Sequence, residues 1–292
     1  MDDAVLIVNP FATRVSAERL AEVRAVLPRP AVRYTEGPGH AVELAREAAA
    51  AGAGAVYVFS GDGGFNEVLN GIDAATPVGF VPGGGTSVLP RALGLPRDPV
   101  AAARRIAAGE TRRISLGRVN GRRFGFSAGI GFDAEVVRRV DALGRKASGR
   151  RPGDVAFAWA VARTIGGRRG RYEPVLELDG LGRAAFALVA NCETYTYAGS
   201  RPFRIAPLAR FELGVDVVAP VRVGARDVPR LLGYALRGRG QVEATDVLYA
   251  HDVDRMTIRC DVPTALQVDG EDLGDVTEVL VESERDAVAV FV

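Results

Sequence analysis

Four short apolar runs in the first third of the chain, "AVLIV" (4–8), "AVRYT" (31–35), "AVYVF" (55–59) and "VGFV" (78–81), alternate with helical patterns. "SAERLAEVRAVL", "HAVELAREAAA" and "FNEVLNGI" carry the 3.6-residue period between them. Parallel neighbours need a crossover, so this alternation predicts a mostly parallel sheet covered on both faces. Ligands on such sheets bind beyond the carboxyl ends of the strands. The loops there are "NPFATR", "TEGPGH", "SGDGG" and "PGGGTS", and all four are rich in turn-forming or hydroxyl residues.

After about Thr111 the rhythm changes to strand-like stretches parted by glycine, proline and Asx turns. "TRRISLGRV", "RAAFALVAN", "DRMTIRC", "TEVLVES" and "AVAVFV" are examples, and they predict an antiparallel β-rich domain. Helical segments are expected near 154–165 and 228–237. The expected division is an α/β domain over 1–115 and a β-rich domain over 116–286, with the return of the last strand, 287–292, to the first domain left open. A length of 292 residues suits two such cores. Hydrophobic content of 48% and charged content of 25% are those of an ordinary globular protein, and the formal net charge of +1 gives no global pull toward nucleic acid.

Cys192 and Cys260 stand outside any CxxC spacing, and His40 and His251 are isolated, so neither a disulfide framework nor a zinc cluster is expected. No stretch approaches the roughly 20 apolar residues of a membrane span, and the N-terminus is unlike a signal peptide. The expected location is cytoplasmic, at most peripheral to a membrane.

"SGDGGFNEVLNG" (60–71) follows a strand and opens a helix. Phe65, Val68, Leu69 and Ile72 share the core face of that helix, with Asn66, Glu67 and Asn70 on the other. Gly61, Gly63 and Gly64 allow main-chain N–H groups to converge where the helix dipole favours an anion. Asp62 would repel a phosphate unless Mg²⁺ bridged them. A tight turn with Asp62 as a simple cap reads equally well from this segment alone. "VPGGGTS" (81–87) repeats the pattern one strand later, with Gly83, Gly84 and Gly85 bare and Thr86 offering a hydroxyl. "VNPFATR" (8–14) adds Asn9, Thr13 and the charge of Arg14, or is only an Asn-Pro turn. "GIGFDA" (129–134) fits a dinucleotide fingerprint but opens no βαβ unit, so it is not read as one. In "LQVDGEDLG" (266–274), Asp-Gly signals a hairpin, and Glu271 is also a candidate general base.

Taken in order, N-P, G-D-G-x-x-N-E-V-x-N-G, P-G-G-x-T before "ALGLP", "AGIGFDA" and a late D-G-E resemble the diacylglycerol kinase catalytic-domain family, which includes bacterial lipid kinases and the sphingosine and ceramide kinases. The resemblance runs over about residues 4–275. It implies a Rossmann-like N-terminal domain, a C-terminal β-sandwich and a nucleotide cleft between them. It also implies ATP and Mg²⁺ as cofactors and a lipid alcohol as the substrate to be phosphorylated. ATP would contact Asn9, Pro10, Phe11, Ala12, Thr13, Thr35, Gly61, Asp62, Gly63, Gly64, Phe65, Asn66, Glu67, Gly84, Gly85 and Thr86. Glu271 would take the proton of the lipid hydroxyl, and Asp62 would stand by the phosphate and Mg²⁺.

The chain departs from the family pattern at three places. Gly64 stands where a threonine is usual, Thr86-Ser87-Val88-Leu89 replaces Thr-x-Asn-Asp, and Phe211-Glu212-Leu213-Gly214 replaces an Asp-Asp-Gly stretch tied to a second Mg²⁺. A soluble-substrate kinase resembling NAD kinase, and a nucleotide- or lipid-binding protein without turnover, therefore stay open beside the lipid kinase. Ten basic residues between Arg138 and Arg171 face only Asp141 and Asp154 in that span. They are either a patch for an anionic membrane or a solvated arginine-rich surface. No nucleic-acid motif accompanies them, so nucleic acid is not an expected partner. An exposed β-edge leaves a homodimer open.

Overall fold

The computed structural model describes residues 4–142 and 171–292. The chain divides into two compact units, Met1–Ser115 with Arg285–Val292, and Leu116–Glu284.

In the first unit β1 (Val5–Val8), β2 (Ala31–Tyr34), β3 (Val56–Ser60) and β4 (Val78–Pro82) are parallel, in the order β2-β1-β3-β4. Alternation along a strand sends successive side chains to opposite faces. Leu6, Val8, Tyr57, Phe59 and Val81 pack with Leu20 and Val23 of α1 (Ala17–Val26) and with Ala102, Ala103 and Ile106 of α5 (Pro99–Ala107). The other face is covered by α2 (His40–Ala50) and α3 (Asp62–Gly71), where Phe65 meets Phe80 edge-on at 5.3 Å. A short α4 (Val88–Ala92) follows β4. Strand-helix alternation with both faces covered is the expected α/β plan. The end of the last strand joins this sheet, pairing Val290 with Val78 in parallel.

The second unit is antiparallel and strand-rich. Its main ladder runs β16 (Val247–Val253), β14 (Val215–Pro220), β11 (Ala187–Ala190), β7 (Ser127–Ile130), β17 (Arg255–Val268), β18 (Glu271–Phe291). β5 (Thr111–Val119) forms a hairpin with β6 (Arg122–Phe124), and β9 (Leu176–Leu178) joins β10 (Gly182–Ala184) to β17. Two pairs stand apart from the ladder: β12 (Thr194–Ala198) with β13 (Arg201–Arg204), and β8 (Arg171–Tyr172) with β15 (Val223–Gly224). The β17–β18 register breaks between Arg259 and Thr264, a stretch containing Pro263, which has no N–H to give the ladder. The core holds Phe124, Ile130, Leu176, Val189, Val217, Ile258, Leu266 and Val279.

Two helices belong to this unit: α6 (Phe132–Ala142) and α7 (Val228–Arg237), the second of which has the expected bounds. The helix expected near 154–165 lies outside the described residues, as does most of the basic segment. Arg138, at its start, is engaged in ion pairs with Asp272 and Asp275 at 2.9 and 2.7 Å. "GIGFDA" leads from β7 into α6 within an antiparallel ladder, with Gly131 at φ +92, so no βαβ unit is formed there. No helix among the described residues is long and apolar enough to cross a membrane.

Candidate functional site

Three of the strand-end loops of the first unit come together through main chain. Gly83 N–H donates to Ser60 O at 2.7 Å, and Arg14 N–H donates to Gly83 O at 2.8 Å. Asn9 N–H donates to Phe59 O, and Thr35 N–H to Val8 O, which ties the ends of β1, β2 and β3. The loops after β3 and β4 touch where Gly61 and Gly84 pass. A Cβ on Gly84 would lie 2.9 Å from Gly61 Cα, closer than side-chain carbons come to backbone. A Cβ on Gly83 would meet Ser60 O at the same distance.

Other glycines in these loops are not explained by packing. A Cβ on Gly63 or Gly85 would meet nothing within 4 Å, and neither residue has the left-handed φ that demands glycine. Bare main chain facing open space, at the start of a helix, is what a phosphate needs to approach N–H groups closely. Gly64 differs again. A Cβ there would overlap the buried Ser60 Oγ, so a threonine at 64 and a serine at 60 exclude each other. That is the physical reason for the first departure from the family pattern.

The side chains of this shelf make defined contacts. Asn9 Oδ1 accepts from Phe11 N–H at 2.9 Å, an Asx turn that leaves Pro10, Phe11 and Thr13 exposed with Ala12 partly covered. Asp62 Oδ1 accepts from Leu89 N–H at 3.3 Å, linking the start of α3 to α4. Glu67 Oε2 accepts from Ala41 N–H at 3.1 Å, supplying a cap to α2, whose own N-cap, Gly39, has no side chain to offer. Phe65 is fully buried in the core. Asn66 was expected on the polar face, yet it is buried, because α2 packs over that side of α3 and Asn70 Nδ2 donates to Asn66 O at 2.8 Å. Ser87 Oγ accepts from Gly84 N–H at 3.2 Å, and Thr86 is half-buried beside it.

Two guanidiniums flank the second glycine loop. Arg14 donates to Arg97 O at 3.1 Å, and Arg97 donates to Gly85 O at 3.2 Å. Partial burial, then the like charge of Arg97, hold Arg14 below the ordinary arginine range. An anion beside the pair would relieve that repulsion. Arg97 is absent from the residues singled out in the sequence, since an arginine just after "ALGLP" carries no motif signal.

Glu271 lies in the second unit, in a β17–β18 hairpin whose register pairs Val268 with Glu271. Asp269 and Gly270 both have positive φ, +47 and +82, as a two-residue hairpin turn of this hand requires. The hairpin reading of Asp-Gly thus holds, and it sets Glu271 as the first residue of β18. Glu271 Oε2 accepts from Arg122 at 2.6 Å, with both side chains partly exposed. Asp269 is buried and accepts three main-chain N–H groups, from Gly125 at 2.7 Å, Phe126 at 3.0 Å and Ser127 at 3.1 Å. Cys192, also buried, has its thiol pushed up to about 12 by desolvation and is no nucleophile.

Among the described residues no group of three or more His, Cys, Asp or Glu could hold a metal ion. Asp62 brings one carboxylate to the shelf, so a Mg²⁺ there would draw most of its oxygen ligands from a bound polyphosphate. The open glycines and the Arg14–Arg97 pair fit such an anion.

Comparison with known proteins gives the same family as the motifs. Residues 3–119 match the model of the diacylglycerol kinase catalytic domain. A curated relative, the diacylglycerol kinase of Bacillus subtilis (strain 168), is 34% identical over 149 residues, covering 48% of this chain and 49% of the relative. The chain therefore matches about half the length of this curated relative. The crystal structure of a diacylglycerol kinase from Bacillus anthracis str. Sterne superposes with a TM-score of 0.72 at 19% identity, covering 99% of this chain and 96% of that one. A second solved structure from the same organism reaches a TM-score of 0.77 at 22% identity, with 99% and 97% covered. At these identities the likeness shows a shared fold. The resemblance to the diacylglycerol kinase catalytic domain is borne out over residues 3–119, and the α/β plus antiparallel plan is borne out in its architecture.

Proposed function

We propose that this chain is an ATP-dependent lipid kinase, which phosphorylates the hydroxyl of a diacylglycerol-like or related lipid alcohol. The observation that carries the reading is the pair of open glycines, Gly63 and Gly85, on loops that main-chain contacts bring together and that nothing in the fold requires to be bare. The match of residues 3–119 to the diacylglycerol kinase catalytic domain supports the same choice.

In this reading the nucleotide is held by main chain and short side chains of Asn9 to Thr13, by Thr35, by Gly61 to Glu67 and by Gly84 to Thr86. Buried Phe65 and Asn66 contribute through the helix backbone they anchor. When bound, ATP would supply the phosphoryl group, and Mg²⁺, which Asp62 would help to hold, would offset its negative charge. Arg14 and Arg97 add positive charge at the Gly85 loop. Glu271 accepts the proton of the attacking hydroxyl, a role worth about 10²–10⁴-fold in rate. Arg122, paired with it at 2.6 Å, helps to orient that carboxylate.

The test is Glu271→Gln, with turnover measured on a panel of lipid alcohols and on NAD, and ATP affinity measured alongside. Turnover on lipid should fall about 100-fold or more while ATP affinity stays unchanged. Unaltered turnover removes Glu271 from the chemistry, and transfer to NAD alone removes the lipid. One observation favours a second reading, nucleotide binding without turnover. The acid usual after the second glycine loop is replaced by Leu89, and Asp62 meets a main-chain N–H there instead. ATP binding with no transfer to any lipid would decide for it.

A further inference from the structure

Asp133 is a buried carboxylate that neither the fold nor the proposed chemistry accounts for so far. It stands in the first turn of α6, 7% exposed, against β7. Burying a carboxylate is costly unless donors meet it. Two do. Tyr195 donates its hydroxyl to Oδ1, and Gln267 Nε2 donates to Oδ2 at 2.7 Å. The space is made by Gly129, where any Cβ would overlap Oδ2.

Gln267, only 1% exposed, lies on β17 opposite Gly129 and opposite Asp272 of β18. Its other end, Oε1, accepts from Gly270 N–H at 2.8 Å. A side-chain amide has one donating and one accepting end, and an ionised carboxylate only accepts. Asp133 therefore compels Gln267 to point its nitrogen inward and its oxygen at the turn. Tyr195, Asp133, Gln267 and Gly270 N–H form one line of hydrogen bonds that ends a single residue before Glu271. Asp269 fixes the root of the same turn through the three N–H groups of 125–127. Gln267 fixes its tip.

We propose that Asp133 is a positioning residue for Glu271: by setting the sense of the Gln267 amide it pins Gly270 N–H, and with it the direction in which the turn presents the Glu271 carboxylate. This rests on Glu271 being the base of the proposed phosphoryl transfer. It also accounts for "GIGFDA", in which Gly129 clears the space, Gly131 turns the chain, and Asp133 starts the line.

Three variants of the full chain test it. Asp133→Ala removes the acceptor that orients Gln267. Gln267→Glu sets two carboxylates face to face. The double variant D133N/Q267E reverses the polarity of the middle bond. The amide introduced at position 133 then donates to the carboxylate introduced at position 267 and still accepts from Tyr195. The second oxygen of that carboxylate receives Gly270 N–H. Two readouts are taken, the exchange rate of the Gly270 amide in the folded protein and the split of kcat from KM for ATP on lipid substrate. Asp133→Ala and Gln267→Glu should speed Gly270 exchange and lower kcat about 100-fold with KM for ATP unchanged, the scale of a small misplacement of a reacting group. The double variant should slow Gly270 exchange again and recover most of the lost kcat.

If Asp133→Ala leaves both readouts at wild-type values, or the double variant is no better than Gln267→Glu, the proposal is overturned. Should Asp133→Ala fail to fold, the comparison of Gln267→Glu with the double variant decides. Gly270 exchange that follows the line while kcat does not would show a structural bond without a positioning role, and would equally overturn it. A wild-type chain that transfers no phosphate to lipid overturns both the kinase reading and the role tied to Glu271, whereas Gly270 exchange still tells whether Asp133 holds the turn.

Discussion

At the strand ends of the first unit main chain lies against main chain: Gly61 passes Gly84, Gly83 receives Arg14 N–H, and side chains serve at the margins. At the Asp269–Gly270 turn of the second unit side chains do the holding, through a buried aspartate with three N–H donors and a buried glutamine whose sense another aspartate sets. Where Gly83 and Gly84 meet their neighbours, the first arrangement has no room for an added carbon. The second depends on buried acceptors that it cannot lose. Substitutions should therefore hurt the two regions for opposite reasons, and that contrast can be broken by measurement.

The largest effect is expected at Asp269. Asp269→Ala leaves three N–H groups without their acceptor, at about 1–3 kcal/mol for each that water cannot reach. Unfolding free energy from urea denaturation should fall by roughly 3 kcal/mol or more. A loss below about 1 kcal/mol, the worth of one ordinary hydrogen bond, would mean that the turn is not held by this carboxylate.

Asp133 comes next, and its effect depends on pH. Desolvation raises its pKa from 3.8 to about 6, against the opposing hydrogen bonds from Tyr195 and Gln267. The folded state thus holds a proton that the unfolded chain has released between those two values. This carboxyl favours folding below that window, and its contribution declines as pH rises through about 6. The difference is about 3 kcal/mol. Asp133→Asn cannot titrate, so its stability relative to wild type should improve by about that amount from acid to neutral pH. Parallel stability profiles for the two proteins would show that the Asp133 carboxyl has the same pKa folded and unfolded.

The glycine shelf was legible because its signal is local. "SGDGG" and "PGGGTS" are contiguous, sit at the ends of apolar runs, and use a residue whose only asset is the absence of a side chain. The alternation of β1 to β4 with α1 to α3 was legible for the same reason, since periodicity lives within ten or so residues. The support of Glu271 was not. Asp133 and Gln267 stand 134 positions apart, and Tyr195 lies 62 from Asp133. Nothing in "GIGFDA" says that its aspartate will face a glutamine on another strand. Asp269 looked like half of a turn signal, and its three N–H partners could be known only once β7 was placed beside β17. Gly64 was visible as a departure, but its reason, the hydroxyl of Ser60, needed the geometry of the helix start.

A matched pair of substitutions sharpens the contrast within the shelf itself. Gly84→Ala drives a methyl against Gly61 backbone and should cost about 1–3 kcal/mol, as overpacking does. Gly63→Ala meets open space inside α3 and should leave stability unchanged or raise it by up to about 1 kcal/mol. Binding should invert that order of surprise: if phosphate lies over Gly63, the harmless methyl should still weaken ATP about tenfold, or about 1.4 kcal/mol. Calorimetric titration of ATP into both variants separates the two effects. Full affinity in Gly63→Ala would return that glycine to the category of a plain turn.

The smallest effect is expected at Arg122, because its ion pair with Glu271 is partly exposed on both sides. Such pairs contribute between 0 and about 1 kcal/mol, and salt screens them. Arg122→Ala should therefore lower stability by less than about 1 kcal/mol, a difference that vanishes near 1 M salt, where the screening length falls to about 3 Å. The side-chain line through Gln267 and the Asp269 anchor remain in that variant, so Gly270 should stay protected from exchange. A loss above about 2 kcal/mol, or Gly270 exchange rising to that of Asp133→Ala, would place the hold on this turn at its surface. The opposition between a main-chain shelf and a turn braced from within would then fail, since the brace would be a single solvent-facing charge pair.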